Sequence, residues 1–296
     1  MTRSLRTALA AAALLACASS QAVTLIGLNS QSQLARIDTA NVAGAMNMDI
    51  TGLMTGDRLV GIDTRPKDGK IYGVSLANQL YTVDEMTGAA TWVTALSSPV
   101  IQANLGYGID FNPVADFGTG ASLRLVSSAG DNFAINAANG TVGNAANKIA
   151  AGYTAVGYSN SMLMPAAAPA STALYYIDAN TDTLAMAPTA FNMPTITTVG
   201  ALGVDVLKAN GFEVLGNGMA YAALNVDAGS SLATGIYGIN LATGSATLIG
   251  TYNGTLSGLT VSAVPEPGTY AMMGLGLLGL AALRRKARRA APTRVN

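Results

Sequence analysis

Leu80-Tyr81-Thr82-Val83-Asp84-Glu85-Met86-Thr87-Gly88 reads as a β-rich run that ends in a turn, and it has counterparts along the chain. These are Leu34-Ala35-Arg36-Ile37-Asp38, Phe133-Ala134-Ile135-Asn136-Ala137-Ala138-Asn139-Gly140, Tyr175-Tyr176-Ile177-Asp178 and Ile236-Tyr237-Gly238-Ile239-Asn240-Leu241-Ala242-Thr243-Gly244. Their Asp or Asn positions are 38, 84, 136, 178 and 240, spaced by 46, 52, 42 and 62 residues. Strand-and-turn units recurring every ~40–50 residues are the mark of propeller blades. In Asp-x-x-Thr-Gly the carboxylate takes up backbone N–H groups two or three residues on, and glycine supplies φ > 0. Because the group recurs in unit after unit, Asp84 to Gly88 reads as a structural turn and not as a ligand site.

A second element precedes the first. Gly61-Ile62-Asp63, Gly108-Ile109-Asp110 and Gly203-Val204-Asp205 read as innermost strands, with Gly157-Tyr158-Ser159 and Gly258-Leu259-Thr260 as degenerate copies. Ile71 to Val74 and Leu123 to Val126 then become second strands, the run ending at Asp84 a third, and Thr91-Trp92-Val93 a fourth. On this register the chain enters midway through a blade at Thr24 to Leu28, and Ser257 to Ser262 supplies the missing inner strand. The expected fold is all-β, a closed β-propeller-like repeat of five blades, since closure removes exposed sheet edges. A six-bladed ring, an irregular ring and a two-sheet sandwich are the alternatives.

The ends differ from this body. Arg3 and Arg6, the apolar run Thr7 to Cys17 and the small-x-small Ser20-Gln21-Ala22 give residues 1–22 the form of a signal peptide. Leu14-Leu15-Ala16-Cys17 is also compatible with lipidation of Cys17. As the single cysteine, Cys17 leaves residues 23–263 without an intramolecular disulfide. Residues 264–296 run Val264-Pro265-Glu266-Pro267, then sixteen uncharged residues from Gly268 to Leu283, then Arg284-Arg285-Lys286-Ala287-Arg288-Arg289. Sixteen helical residues span roughly 24 Å, short of the ~30 Å hydrocarbon core, which suits a transient anchor with the basic cluster on the cytoplasmic side. Residues 23–263 keep eight basic and fifteen acidic side chains, net −7, which disfavours nucleic acid as a partner.

Two resemblances follow from these residues. The order of Val264, Pro265, Glu266 and Pro267, an apolar helix (268–283) and Arg284, Arg285, Lys286, Arg288 and Arg289 resembles the PEP-CTERM sorting tail of exported bacterial proteins. It implies recognition by an exosortase, a membrane transpeptidase-like enzyme, with delivery to the cell surface or secreted polysaccharide. Within the body, Tyr107-Gly108-Ile109-Asp110-Phe111-Asn112-Pro113-Val114-Ala115-Asp116, Leu123-Arg124-Leu125-Val126-Ser127 and Gly130-Asp131-Asn132-Phe133 resemble an uncharacterised bacterial exported domain family. Its members often carry Gly-Phe-Asp-Phe-Asn-Pro-x-x-Asp-Arg-[Leu/Ile]-Arg-Val-Val-Ser. The likeness covers roughly residues 24 to 262 and departs at Phe117 to Ser122 and at Ala134, where relatives tend to have Arg.

Chemistry is sparse. There is no histidine, which removes Ser-His and Cys-His catalysis and His-ligated zinc. Gly274-Leu275-Gly276-Leu277-Leu278-Gly279 has no strand before it and no acid after it, so it is no dinucleotide site. Asn139-Gly-Thr141 and Asn253-Gly-Thr255 read as turns more than as glycosylation sequons. Asp63, Asp110 and Asp205, with Ser159 and Thr260, take equivalent positions on the expected inner strands. Two readings stay open: a polar ring binding a hard cation or sugar hydroxyls, or side chains capping turns within their own blades. No metal site and no cofactor is expected from a local motif. The expected function is that of an exported, non-catalytic binding or extracellular-matrix protein, with extracellular polysaccharide as a possible partner. The alternatives are a propeller that docks a protein and an acid-only glycan-active enzyme.

Overall fold

The computed structural model of the protein describes residues 22–264 apart from 228–231. The signal-peptide pattern, Cys17 and the sorting tail from Pro265 onward lie outside the described residues. Blade one opens with β1 (Thr24–Asn29), β2 (Gln33–Asp38) and β3 (Asn41–Asp49). Blade two is β4 (Leu59–Thr64), β5 (Ile71–Ser75), β6 (Gln79–Val83) and β7 (Ala90–Ala95). Blade three is β8 (Tyr107–Phe111), β9 (Leu123–Ser127), β10 (Asn132–Ile135) and β11 (Val142–Gly143). Blade four is β12 (Tyr153–Tyr158), β13 (Leu174–Asp178), β14 (Thr183–Ala187) and β15 (Thr197–Ala201), and blade five is β16 (Lys208–Val214), β17 (Ala220–Asp227), β18 (Leu232–Ile239) and β19 (Ala246–Tyr252). The last strand, β20 (Leu256–Val261), returns to blade one as its innermost strand, antiparallel to β1 with Leu25 opposite Val261 and Leu28 opposite Gly258. Five four-stranded antiparallel sheets thus form a closed five-bladed propeller, as the repeat predicts. Among the described residues no helix is long and apolar enough to cross a membrane.

Burial explains why these segments are strands of these ranks. Every residue of β4 and β5 is buried, so both faces must be apolar or internally satisfied. The outer strand β7 is largely exposed. The core divides into five apolar clusters, one between each pair of neighbouring blades; Ile26, Leu28 and Leu34 of blade one, for instance, pack on Leu59, Ile62 and Ile71 of blade two. Stability therefore comes from blade-to-blade contact, which an isolated sheet could not provide.

The recurring Asp/Asn group is a turn. Asp84 Oδ1 accepts from the Met86 and Thr87 N–H groups and from the Thr87 hydroxyl, holding its carboxyl below the usual carboxylate range. Asn240 does the same for Ala242 and Thr243. Gly88 has φ +71°, and a Cβ there would run into the Asp49 carbonyl of blade one, so the glycine serves blade packing as well as the turn. One assignment changes. Asp178 ends β13, a second strand, and the third strand of blade four ends at Ala187. The uneven spacing after Asp178 came from counting a second strand among thirds.

Candidate functional site

Five inner strands crowd one axis, and their side chains repeat level by level. Cross-strand register aligns Gly61 with Gly108, Ala155, Gly211 and Gly258, since their second-strand partners are Val74, Val126, Ile177, Ala223 and Leu28. One residue on come Ile62, Ile109, Val156, Phe212 and Leu259. Two residues on, back on the face of the glycines, come Asp63, Asp110, Gly157, Glu213 and Thr260. The glycines are there for close approach. A Cβ on Gly108 would meet the backbone of β12, at 2.9 Å from Ala155 Cα and 3.0 Å from Thr154 O. A cavity of about 10 Å³ lies at the level of the glycines, lined by Gly61, Gly108, Gly211 and Gly258 among others, and takes at most one water-sized body.

Two expected placements are corrected here. Asp205 lies exposed in the loop before β16, because Gly203-Val204-Asp205 is connection and not strand. Its level is filled by Glu213, from Gly211-Phe212-Glu213, a Gly-apolar-acid triplet that the sequence reading passed over for the one ending in Asp. Ser159 lies just beyond β12, two residues out of register, and Gly157 takes the level instead. Asp63, Asp110 and Thr260 do converge, joined by Glu213. Ligand atoms of Asp63, Asp110 and Glu213 all lie within 4.8 Å of one another, and all three residues are buried.

Each of these side chains reaches the next blade. The Thr260 hydroxyl of blade one accepts the Thr64 N–H of blade two at 2.8 Å. Asp63 Oδ2 accepts the Phe111 N–H of blade three at 2.7 Å, and Asp110 Oδ1 the Tyr158 N–H of blade four at 3.1 Å. The Glu213 carboxylate accepts the Val261 N–H, returning to blade one. The acceptor always bonds the residue just past the equivalent level in the next inner strand. Four of five interfaces carry such a staple; at the fifth, Gly157 has no side chain, and Val214 bonds the carboxylate of Glu213 itself. Neither expectation for the acids anticipated this: they cap neither a turn in their own blade nor an open ring.

The electrostatics follow from burial. Burial pushes Asp63 well above the ordinary carboxylate range, the Glu213 charge adds to it, and hydrogen bonds from Phe111, Thr260 and Thr64 oppose it. Asp110 is raised by burial and then by the charges of Asp63 and Glu213. Burial also pushes Glu213 up to about 7, against hydrogen bonds led by Thr260. The Thr260 hydroxyl lies 3.0 Å from Asp63 Oδ1 and 2.9 Å from Glu213 Oε2, yet has one proton to give. The cluster therefore needs further positive charge, either protons on the carboxyls or a hard cation. The donor set, three carboxylate oxygens and a hydroxyl, is of the type that calcium or magnesium takes, although either ion requires more oxygens than these. The nearest arginines are committed elsewhere: Arg65 Nε to Asp116 Oδ1 at 2.6 Å, and Arg124 to Asn132, Tyr158 and Asn192.

Solved structures similar to the chain include regucalcin, a calcium-binding protein of Agrobacterium tumefaciens (15% identity, 75% of this chain and 67% of that one, TM-score 0.40). A Bacteroides thetaiotaomicron protein of unknown function (12%, 78% and 58%, TM-score 0.47) and a Lactobacillus plantarum protein (10%, 81% and 99%, TM-score 0.37) are similar too. No curated protein sequence matches. Residues 263–286 match the PEP-CTERM protein-sorting motif, so the chain is an exported, sorted protein with a propeller body. Residues 33–260 match a second family model, and on that match over most of its length the protein belongs to the family described as Domain of unknown function (DUF4394).

Proposed function

We propose that this protein is a non-catalytic, exported binding or matrix component, handed to the cell surface by an exosortase-type enzyme and exposing the outside of its propeller to extracellular polysaccharide. The observation that carries the non-catalytic reading is the state of its acids. The carboxylates that the fold gathers, Asp63, Asp110 and Glu213, are sealed on the axis and spent on neighbouring blades. Glycoside hydrolysis by two acids needs them ~5–9.5 Å apart beside a space that admits a sugar. All three acids are buried, at 3%, 2% and 2% exposure, so a polyol is not proposed as the ligand of this level. Asp63, Asp110 and Glu213 serve to lock the ring, with protons or one cation as their counter-charge, and Asp205 has no part in it. Any glycan would be held on the outer surface.

The test pairs binding with turnover. The exported protein is passed over a glycan array and incubated with the polysaccharides and lactones of its host surface. Binding without product, unchanged in Asp63→Asn, is the expected result. Product formation that Asp63→Asn or Asp110→Asn abolishes would overturn the reading.

A further inference from the structure

A positive charge is buried between blades three and four without an acid beside it. Arg124 lies on β9, and it shares with Val126 and Asn132 the sheet face that meets blade four. It is 6% exposed. Its Nε donates to the Tyr158 hydroxyl at 3.3 Å, its Nη1 to Asn132 Oδ1 at 3.0 Å and to the Phe133 carbonyl at 3.4 Å, and its Nη2 to Asn192 Oδ1 at 2.9 Å. Every one of these acceptors is neutral. Among the described residues Arg124 forms no ion pair, and Asp110, opposite it on β8, gives its carboxylate to the Tyr158 N–H. Neutral acceptors do not cancel the charge of a buried guanidinium, so this arrangement is costly.

The same place holds a donor with nothing to bond. The Tyr176 hydroxyl, on β13 of blade four, is wholly buried and has no hydrogen-bond partner among the described residues. Buried hydroxyls are seldom left so. Tyr176 belongs to the cluster of Val126, Tyr153 and Tyr158, its ring packs on Tyr153 at 5.1 Å, and it lies within reach of the Arg124 charge. Burial pushes its pKa up, so it stays a donor. The loop 188–196, between β14 and β15, covers this point. Few contacts seat it: Asn132 Nδ2 donates to the Phe191 carbonyl at 3.0 Å, the Phe191 ring meets Tyr158 edge-on at 5.0 Å, and Asn192 lies on Arg124. Within the loop Ala190 has φ +58°, a conformation that alanine adopts under constraint. Asn192 and Met193 are exposed at its tip. The Asn192 carboxamide thus rests on the guanidinium as a planar, uncharged copy of a carboxylate.

We propose that Arg124 and Tyr176 form a binding site for a carboxylate ligand, with the loop 188–196 as its lid. The ligand displaces Asn192 from Nη2, supplies the charge that Arg124 lacks and gives the Tyr176 hydroxyl an acceptor. The carboxylate belongs to a small free acid or to an acidic sugar within a polymer, and the guanidinium recognises what the two share. The site is separate from Asp63, Asp110 and Glu213 and does not depend on the polysaccharide reading.

The test follows melting of the full chain with sodium acetate, sodium glucuronate or sodium polygalacturonate, against glucose and sodium chloride at equal ionic strength. A ligand held only by the folded protein raises the melting temperature. The acids are expected to raise it, and glucose and chloride to leave it unchanged. A rise with polygalacturonate alone assigns the site to a polymer, and a rise with acetate and glucuronate to free acids. Tyr176→Phe removes an unbonded hydroxyl, so it should leave the ligand-free melting temperature unchanged while weakening binding of the active acid about tenfold in calorimetric titration. Asn192→Asp, at an exposed position, sets an acid on Arg124 permanently. It should raise the ligand-free melting temperature and abolish the response to every acid. No response to any of the three acids, a response matched by chloride, or one undiminished in Asn192→Asp overturns the proposal. So does an Asn192→Asp variant that melts below the parent, since Arg124 would then have no need of an acid.

Discussion

The interface between blades three and four and the interface between blades four and five solve one packing problem in opposite order. At the first, Gly108 presses on the backbone of β12, and two residues on, Asp110 bonds the Tyr158 N–H. At the second, Ala155 takes the glycine level and Gly157 the acid level. A Cβ on Gly157 would meet side-chain ends, Val214 Cγ2 at 3.0 Å and Phe212 Cδ1 at 3.1 Å. One interface is closed by a backbone contact and a polar staple, the other by side-chain packing without the staple. Propeller closure asks only that each level be filled and each buried N–H be bonded, and different residue pairs meet that demand.

The sharpest way to break this comparison is to add one methyl group on each side. Gly108→Ala should cost about 3 kcal/mol or more in urea unfolding, because the β12 backbone cannot yield. An unchanged midpoint would mean that the inner strands are looser than described.

The acid level can be probed by pH. Glu213 is pushed up to about 7, above its ordinary value of 4.5, and Asp63 and Asp110 are raised too. A carboxyl with a raised folded-state pKa binds its proton more tightly when folded. Its stabilisation is complete below the unfolded pKa and is lost as pH rises through the folded one. The protein should be more stable at pH 5 than at pH 8, by an amount on the order of 3 kcal/mol, and Glu213→Gln should flatten the profile. Calorimetric melting at both pH values checks this. A melting temperature higher at pH 8, raised further by calcium and lowered by chelator, would show that a cation and not protons supplies the counter-charge.

A smaller effect separates the staple from the charge that carries it. Asp110→Ala leaves the Tyr158 N–H buried without its acceptor and should cost about 1–2 kcal/mol at pH 5. Asp110→Asn keeps an acceptor, drops the charge and should be close to neutral at pH 5. Equal losses in both variants would assign the effect to charge and dismiss the staple. The smallest change is expected at the unstapled interface: Gly157→Ala should cost about 1 kcal/mol, since Val214 and Phe212 can shift. A loss there as large as that of Gly108→Ala would erase the distinction between the two interfaces.

Much of this architecture is legible in the residues. Strand runs ending in Asp or Asn turns, spaced like blades, give the blade count and the closure of β20 on β1, because strand and turn preferences act within a few residues. Gly-apolar-acid triplets locate β4 and β8 as inner strands for the same local reason. Where the triplet is incomplete, as at Tyr153 to Tyr158, or matched by chance, as at Gly203 to Asp205, the local signal fails. Glu213 was readable in principle, since Gly211-Phe212-Glu213 has the same form with a longer acid.

The sequence by itself determined that the chain is an all-β repeat with an export tail and without histidine chemistry. These are properties of composition and of short-range pattern, which need no partner strand to be defined. Only the tertiary structure decided which acid faces the axis and what it does there. Whether a glycine marks an inner strand depends on how closely a neighbouring blade approaches, as at Gly108 and β12. Whether an aspartate is a ligand site or a staple depends on an N–H some 48 residues away, as for Asp63 with Phe111 and Asp110 with Tyr158. Contacts of that separation form only when the ring closes, and no local preference encodes them.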